Sequence, residues 1–132
     1  MATFKFTNAI LNKKNIFIYN KGNHKRDFTY VDDVVECLFR LLNKPPKKNY
    51  HQIINLGKGG GTDIVNFLKI IEMTLKKTTK VKFISKQQGD MIETLSSIKK
   101  LKNTIGFSPK ISPEKGIKLF IDWYKSFYEN EK

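Results

Sequence analysis

Apolar positions recur along this chain with two periods, and the switches between them mark out its elements. From residue 2 to 13, Phe6, Ile10 and Leu11 fall on one side of a helix. Ile16 to Asp33 then combines a β-branched and aromatic run, a turn centred on Gly22, the basic pair Lys25-Arg26, a second aromatic run and an acidic helix start. That order predicts a strand, a hairpin turn, a second strand and a helix capped by Asp32. Val34, Val35, Leu38, Leu41 and Leu42 recur at three and four residues along it, and Pro45-Pro46 ends the helix.

Gln52 to Leu56 is a short apolar run that predicts a strand, followed by the glycine-rich Gly57 to Gly61. Thr62 is placed to cap a helix that turns Ile64, Phe67, Leu68, Ile71 and Leu75 inward, and Val81 to Ser85 alternates as a strand does. After Asp90 the helical period returns, with Ile98, Leu101 and Ile105 in step and Gly106 suited to a left-handed C-cap. Ser112-Pro113-Glu114 opens the last helix, which carries Ile117, Phe120, Ile121, Tyr124 and Phe127 or Tyr128 on a broad apolar face. Three strand regions and about five helices make a mixed α/β (α+β) single domain over residues 1–132, with no internal repeat and no dividing linker.

Composition narrows the class. No apolar run approaches the roughly 20 residues that span a bilayer, and the start MATFKFTNAI lacks a secretory leader. A lone Cys37 forms no internal disulfide, which fits a reducing cytoplasm. The net charge of +13 suits polyanions, but of 25 basic residues only Arg26 and Arg40 are arginine, and the lysines are scattered through every segment. Phosphate forks and base reading favour arginine, so no specific nucleic-acid partner is expected, only weak adhesion at low salt.

Four patches carry a likeness. They are Phe4 to Thr7 with Ala9-Ile10-Leu11, then Arg26 to Asp33, then Gly89-Asp90 with Glu93-Thr94, then Gly106 to Pro109 leading to Trp123-Tyr124. In this order the chain resembles the carboxyl-terminal part of an extended short-chain dehydrogenase/reductase of the NAD-dependent epimerase/dehydratase family, within it the UDP-glucuronate 4-epimerase group. The likeness implies a substrate-binding role in which Arg26 holds the substrate's diphosphate, Phe17 and Tyr19 line the uracil pocket, and Asp90 accepts from ribose hydroxyls. Gln87 falls where many relatives place a second diphosphate arginine, which lowers the positive charge there. The residues also allow plainer roles: Arg26 paired with Asp27 or Asp32, Phe17 and Tyr19 as strand core, Gly89-Asp90 as a turn.

The family's dinucleotide-binding βαβ unit and upstream Tyr-x-x-x-Lys have no counterpart in this sequence. Tyr128 and Lys132 share that spacing, but they follow the terminal Trp-Tyr patch and read as coincidence. The expectation is a fragment of a UDP-sugar epimerase with no catalytic residue and no cofactor site of its own, able at most to bind the UDP part; NAD belongs to the intact family. In the family, the helix from Asp32-Asp33 packs on the dinucleotide-binding domain. Its uncovered face therefore implies a homo-oligomer or a separate Rossmann-domain chain as partner. The rival is a stand-alone polyanion or nucleic-acid module.

Gly57 to Gly61 resembles a phosphate cradle only superficially, because it lacks the Lys-Ser/Thr ending. His24 and His51 have no metal-ligand spacing; His24, beside Lys25-Arg26, allows a phosphate contact, but a solvated turn residue is the expectation.

Overall fold

The computed structural model describes residues 2–46 and 50–129. Among them the helices are α1 (Ala2–Leu11), α2 (Val31–Leu42), α3 (Ile64–Leu75), α4 (Lys99–Ile105) and α5 (Pro113–Glu129). The strands are β1 (Ile16–Ile18), β2 (Lys25–Arg26), β3 (Thr62–Asp63), β4 (Val81–Phe83) and β5 (Glu93–Thr94). The result is a small helix-rich α/β unit, as the apolar periods imply.

Its core is built on α3. The five positions assigned inward there, Ile64, Phe67, Leu68, Ile71 and Leu75, are all buried against Phe6 and Ile10 of α1, Ile16 and Ile18 of β1, and Ile117 and Ile121 of α5. Each such side chain contributes about 1.5–3 kcal/mol by leaving water. A second cluster joins Cys37 of α2 to Leu101 and Ile105 of α4. Burial, with Asp33 beside it, pushes the Cys37 thiol above its ordinary value, so it serves as a small apolar residue.

The expected hairpin does not form. β1 pairs in parallel with β4, Ile16 opposite Val81, whereas β2 lies between antiparallel β3 and parallel β5, with Arg26 opposite Thr62 and Thr94. The reason lies in the 3₁₀ turn Tyr19–Gly22, where Asn20, Lys21 and Gly22 have φ of +50°, +52° and +85°. Three left-handed residues in a row swing the chain out of one sheet and into another. Glycine is required at 22, since an added Cβ would lie 2.6 Å from Val65 Cγ2.

Other local expectations also change. Gln52 to Leu56 is not a strand; Ile54 and Leu56 pack on the second cluster instead. Glu93-Thr94 is strand, with the helix delayed to Lys99. Thr62 lies in β3, and Asp63 occupies the α3 cap position without a side-chain bond. The α2 cap position belongs to Tyr30, likewise without a side-chain bond, and Asp32 is exposed. Asp33 is the buried acid: its Oδ2 accepts from the N–H groups of Lys110 and Ile111 at 2.9 and 2.7 Å, tying the start of α2 to the approach of α5. Ser112 caps α5 as its sequence announces, accepting from Lys115 N at 3.3 Å. Its hydroxyl also holds the Glu114 carboxyl below its usual value. Gly106 ends α4 at φ +66°.

Helix α2 leaves three of its five recurring apolar residues at the surface. Val35, Leu38 and Leu42 are exposed together with Val31 and Phe39, and only Val34 and Leu41 are half-buried. Val31, Val35, Leu38 and Leu42 follow i, i+4, i+7, i+11, a continuous apolar stripe facing outward. Lys132, the second member of the Tyr-x-x-x-Lys spacing, lies outside the described residues.

Candidate functional site

A cleft of about 340 Å³ opens between α1, β1, the 3₁₀ turn, β2 and the start of α3. Four of the five residues singled out for a ligand line it: Phe17, Tyr19, Arg26 and Asp90. The alternation of β1 explains the aromatic wall. Ile16 and Ile18 point into the core, which turns Phe17 outward, 54% exposed, and Tyr19 follows at 41%. Neither aromatic is therefore strand core. Gln87 is exposed in the turn before Asp90, where its carbonyl accepts from Asp90 N at 3.2 Å, and its side chain does not line the cleft.

The polar wall is a charge pair. Arg26 Nη2 donates to Asp90 Oδ1 at 2.9 Å, while Nη1 donates to the carbonyls of Lys25 at 2.9 Å and Ile92 at 3.1 Å. The backbone bonds fix the guanidinium plane, so the fork projects from the middle strand of its sheet. Both side chains of the pair are about 30% exposed, and water screens it to roughly 1 kcal/mol or less. Neither Asp27 nor Asp32 is Arg26's partner. Gly89, at φ +82°, forms the turn that presents Asp90, so the turn and the cleft-lining role coexist.

Asp27 has a different task. Its carboxylate accepts from the N–H groups of Lys58, Gly59 and Ser96 at 3.2, 3.0 and 3.1 Å, with Thr29 Oγ1 sharing the Lys58 donor at 3.0 Å. The glycine-rich loop is thus folded over a protein carboxylate. The two N–H groups a phosphate would need are already taken. Gly57 must lack a side chain because a Cβ would run into Ser96 and Asp27 Oδ2.

Two further cleft residues lie outside the five singled out for a ligand. Lys5 reaches it from α1, a placement only the tertiary fold creates. His24 is no solvated turn residue; it is 6% exposed, lines the cleft and carries Nε2 3.3 Å from Asp90 Oδ2. A signal for it existed, because in an extended segment residues 24 and 26 face the same way. Among the described residues, no group of three His, Cys, Asp or Glu is placed to hold a metal ion. No described helix is long and apolar enough to cross a membrane.

With aromatic rings on one side and cations and a carboxylate on the other, the cleft suits a flat ring joined to an anionic tail. This architecture is that of the carboxyl-terminal part of an extended short-chain dehydrogenase/reductase. UDP-glucuronic acid 4-epimerase from Bacillus cereus, in complex with UDP-glucuronic acid and NAD, matches with a TM-score of 0.86 at 27% identity over 97% of this chain and 40% of that one. UDP-glucose 4-epimerase from Thermotoga maritima, with UDP-glucose, matches at a TM-score of 0.87 and 25% identity over 96% of this chain and 40% of that one. The model of the NAD dependent epimerase/dehydratase family matches residues 1–57. Protein CapI of Staphylococcus aureus is 36% identical over 98% of this chain and 43% of its own length. A probable UDP-glucuronate 4-epimerase of Rhizobium meliloti is 33% identical over 97% and 42%. The chain belongs to the NAD-dependent epimerase/dehydratase family, matching the carboxyl-terminal portion of its relatives and spanning about two fifths of their length.

Proposed function

We propose that this chain is the substrate-binding part of a UDP-glucuronate 4-epimerase-like enzyme and that its cleft takes the UDP portion of a nucleotide sugar. The observation that carries this is the convergence of Phe17, Tyr19, Arg26 and Asp90 on one cleft from segments more than 60 residues apart, the Arg26–Asp90 separation being 64. Uracil lies against the Tyr19 and Phe17 rings, ribose hydroxyls donate to Asp90, and the diphosphate engages Arg26. For that last contact Arg26 exchanges a part-exposed carboxylate for a doubly charged group that its planar fork fits in bidentate fashion. Lys5 adds a second cation at the same rim.

In intact relatives NAD supplies the hydride acceptor and donor, and protein groups orient the sugar. The glycine-rich loop, which most resembles a phosphate turn, does not favour a dinucleotide, because Asp27 takes the N–H groups of Lys58 and Gly59. This chain therefore binds and orients, and NAD-dependent turnover is not expected from it alone. The exposed stripe of α2 is covered by an apolar surface, that of a dinucleotide-binding domain or of a second copy. Light scattering behind size-exclusion chromatography at tens of micromolar is expected to give more than the monomer mass; a clean monomer removes self-association through this face.

Calorimetric titration with UDP, UMP and single-stranded DNA at low salt and at about 200 mM salt tests the ligand. A preference for UDP that persists at the higher salt is expected. Binding that collapses with salt and ignores the nucleobase would instead make the chain a polyanion module.

A further inference from the structure

His24 is the one group in the cleft that is enclosed, titratable and left without a hydrogen bond. Its backbone is bolted in place: His24 N donates to Gly22 O at 2.8 Å, and Ile64 N at the start of α3 donates to His24 O at 3.0 Å. The side chain is 7% exposed, and Nε2 has no hydrogen-bond partner among the described residues. Yet Nε2 stands 3.3 Å from Asp90 Oδ2, close enough for charge contact and off the direction a hydrogen bond needs. The opposite oxygen, Oδ1, holds Arg26 Nη2 at 2.9 Å. Asp90 is therefore flanked by one donor in use and one in reserve.

We infer that His24 is a positioning residue of the nucleotide site: when the diphosphate draws Arg26 off Asp90, the His24 Nε2–H swings onto Oδ2 and keeps the carboxylate aimed at the ribose. This inference rests on the UDP reading above. The physical need is that a two-thirds-buried carboxylate loses its charged donor on the very step that binds ligand, a desolvation cost that neutral ribose hydroxyls offset only in part. A donor already within a short side-chain rotation removes that cost without contacting the ligand. The exchange also explains why an enclosed imidazole tolerates an unmade bond in the free chain: the bond is completed in the complex.

Three chains test this: wild type, His24→Leu, which keeps the approximate bulk, and His24→Gln, whose side-chain amide carries a donor in place of Nε2–H. UDP affinity is expected to fall about tenfold in His24→Leu and to recover most of the loss in His24→Gln, with the unfolding midpoint of His24→Leu at or above that of wild type. Equal UDP affinity in His24→Leu and wild type overturns the role, and so does equal weakness of both variants, which would make His24 mere filling. Should wild type bind no UDP, the ligand reading fails on its own. The His24 inference then still meets a second measurement, long-range ¹H–¹⁵N correlation of the imidazole in wild type and Asp90→Asn. A proton on Nε2 whose resonance responds to Asp90→Asn is expected. A bare Nε2, or one indifferent to Asp90, overturns it.

Discussion

Asp27→Ala is expected to lower the thermal midpoint by about 10 °C. Three backbone donors end on this one carboxylate, those of Lys58, Gly59 and Ser96, and two of the three bonds are part-buried. Orphaning the part-buried Ser96 N–H costs about 1–3 kcal/mol and the exposed Gly59 N–H less, while Lys58 N keeps Thr29 Oγ1 and loses one of two acceptors, which together comes to about 3 kcal/mol. In a domain of 132 residues that loss corresponds to roughly 10 °C, given about 2.1 cal/mol/K of unfolding entropy per residue. The same carboxylate packs beside the Gly57 backbone, so truncation also opens a gap that Ser96 cannot fill without moving. Asp27→Asn, which keeps one acceptor oxygen, should fall between the two. Differential scanning calorimetry checks the series; a shift of only a degree or two for alanine would mean that water replaces Asp27 and that the loop is not clasped by it.

Arg26→Ala is expected to weaken UDP binding about a hundredfold while leaving the fold intact. The interaction removed is a charge-assisted, bidentate one, worth more than a single neutral hydrogen bond. Arg26→Lys keeps the charge and loses the fork, and a drop of about tenfold is expected. Stability should change by no more than roughly 1 kcal/mol, since the Arg26–Asp90 pair is partly exposed and screened. Calorimetric titration alongside circular dichroism separates the two effects. Unaltered UDP affinity in a folded Arg26→Ala chain would mean that the diphosphate does not lie on this fork.

These two neighbours, Arg26 and Asp27, show where the sequence is legible and where it is not. Helical cores are written locally: the spacing of Ile64, Phe67, Leu68, Ile71 and Leu75 names the buried face of α3, and Ser112 and Gly106 mark helix ends through bonds and φ values that depend on a few adjacent residues. Strand pairing is not local. Lys25-Arg26 looks like one arm of a hairpin, but its partners are Thr62-Asp63 and Glu93-Thr94, and nothing near Gly22 announces that three left-handed residues will divert the chain. The stripe on α2 shows a further limit. Periodicity marks the face as apolar, and only the family resemblance implies that nothing in this stretch of chain covers it.

The candidate site residues divide in the same way. Arg26, Asp90, Phe17 and Tyr19 are legible because a motif and its chemistry agree, and the fold brings them to one cleft. Gln87 has the motif position but does not line the cleft. His24 has only its place two residues before Arg26, and its burial depends on tertiary packing. Asp27 reads in the sequence as a partner for Arg26, whereas two successive residues of an extended segment face opposite ways, one to the cleft and one to the glycine loop.

The most direct trial of the UDP assignment is chemical-shift mapping of the ¹⁵N-labelled chain as UDP is added. Saturable shifts gathered at the backbone of Phe17, Tyr19 and Asp90 and at the Arg26 guanidinium are the expected result. Shifts spread over the surface lysines, or centred on the glycine loop at Lys58 and Gly59, would contradict it.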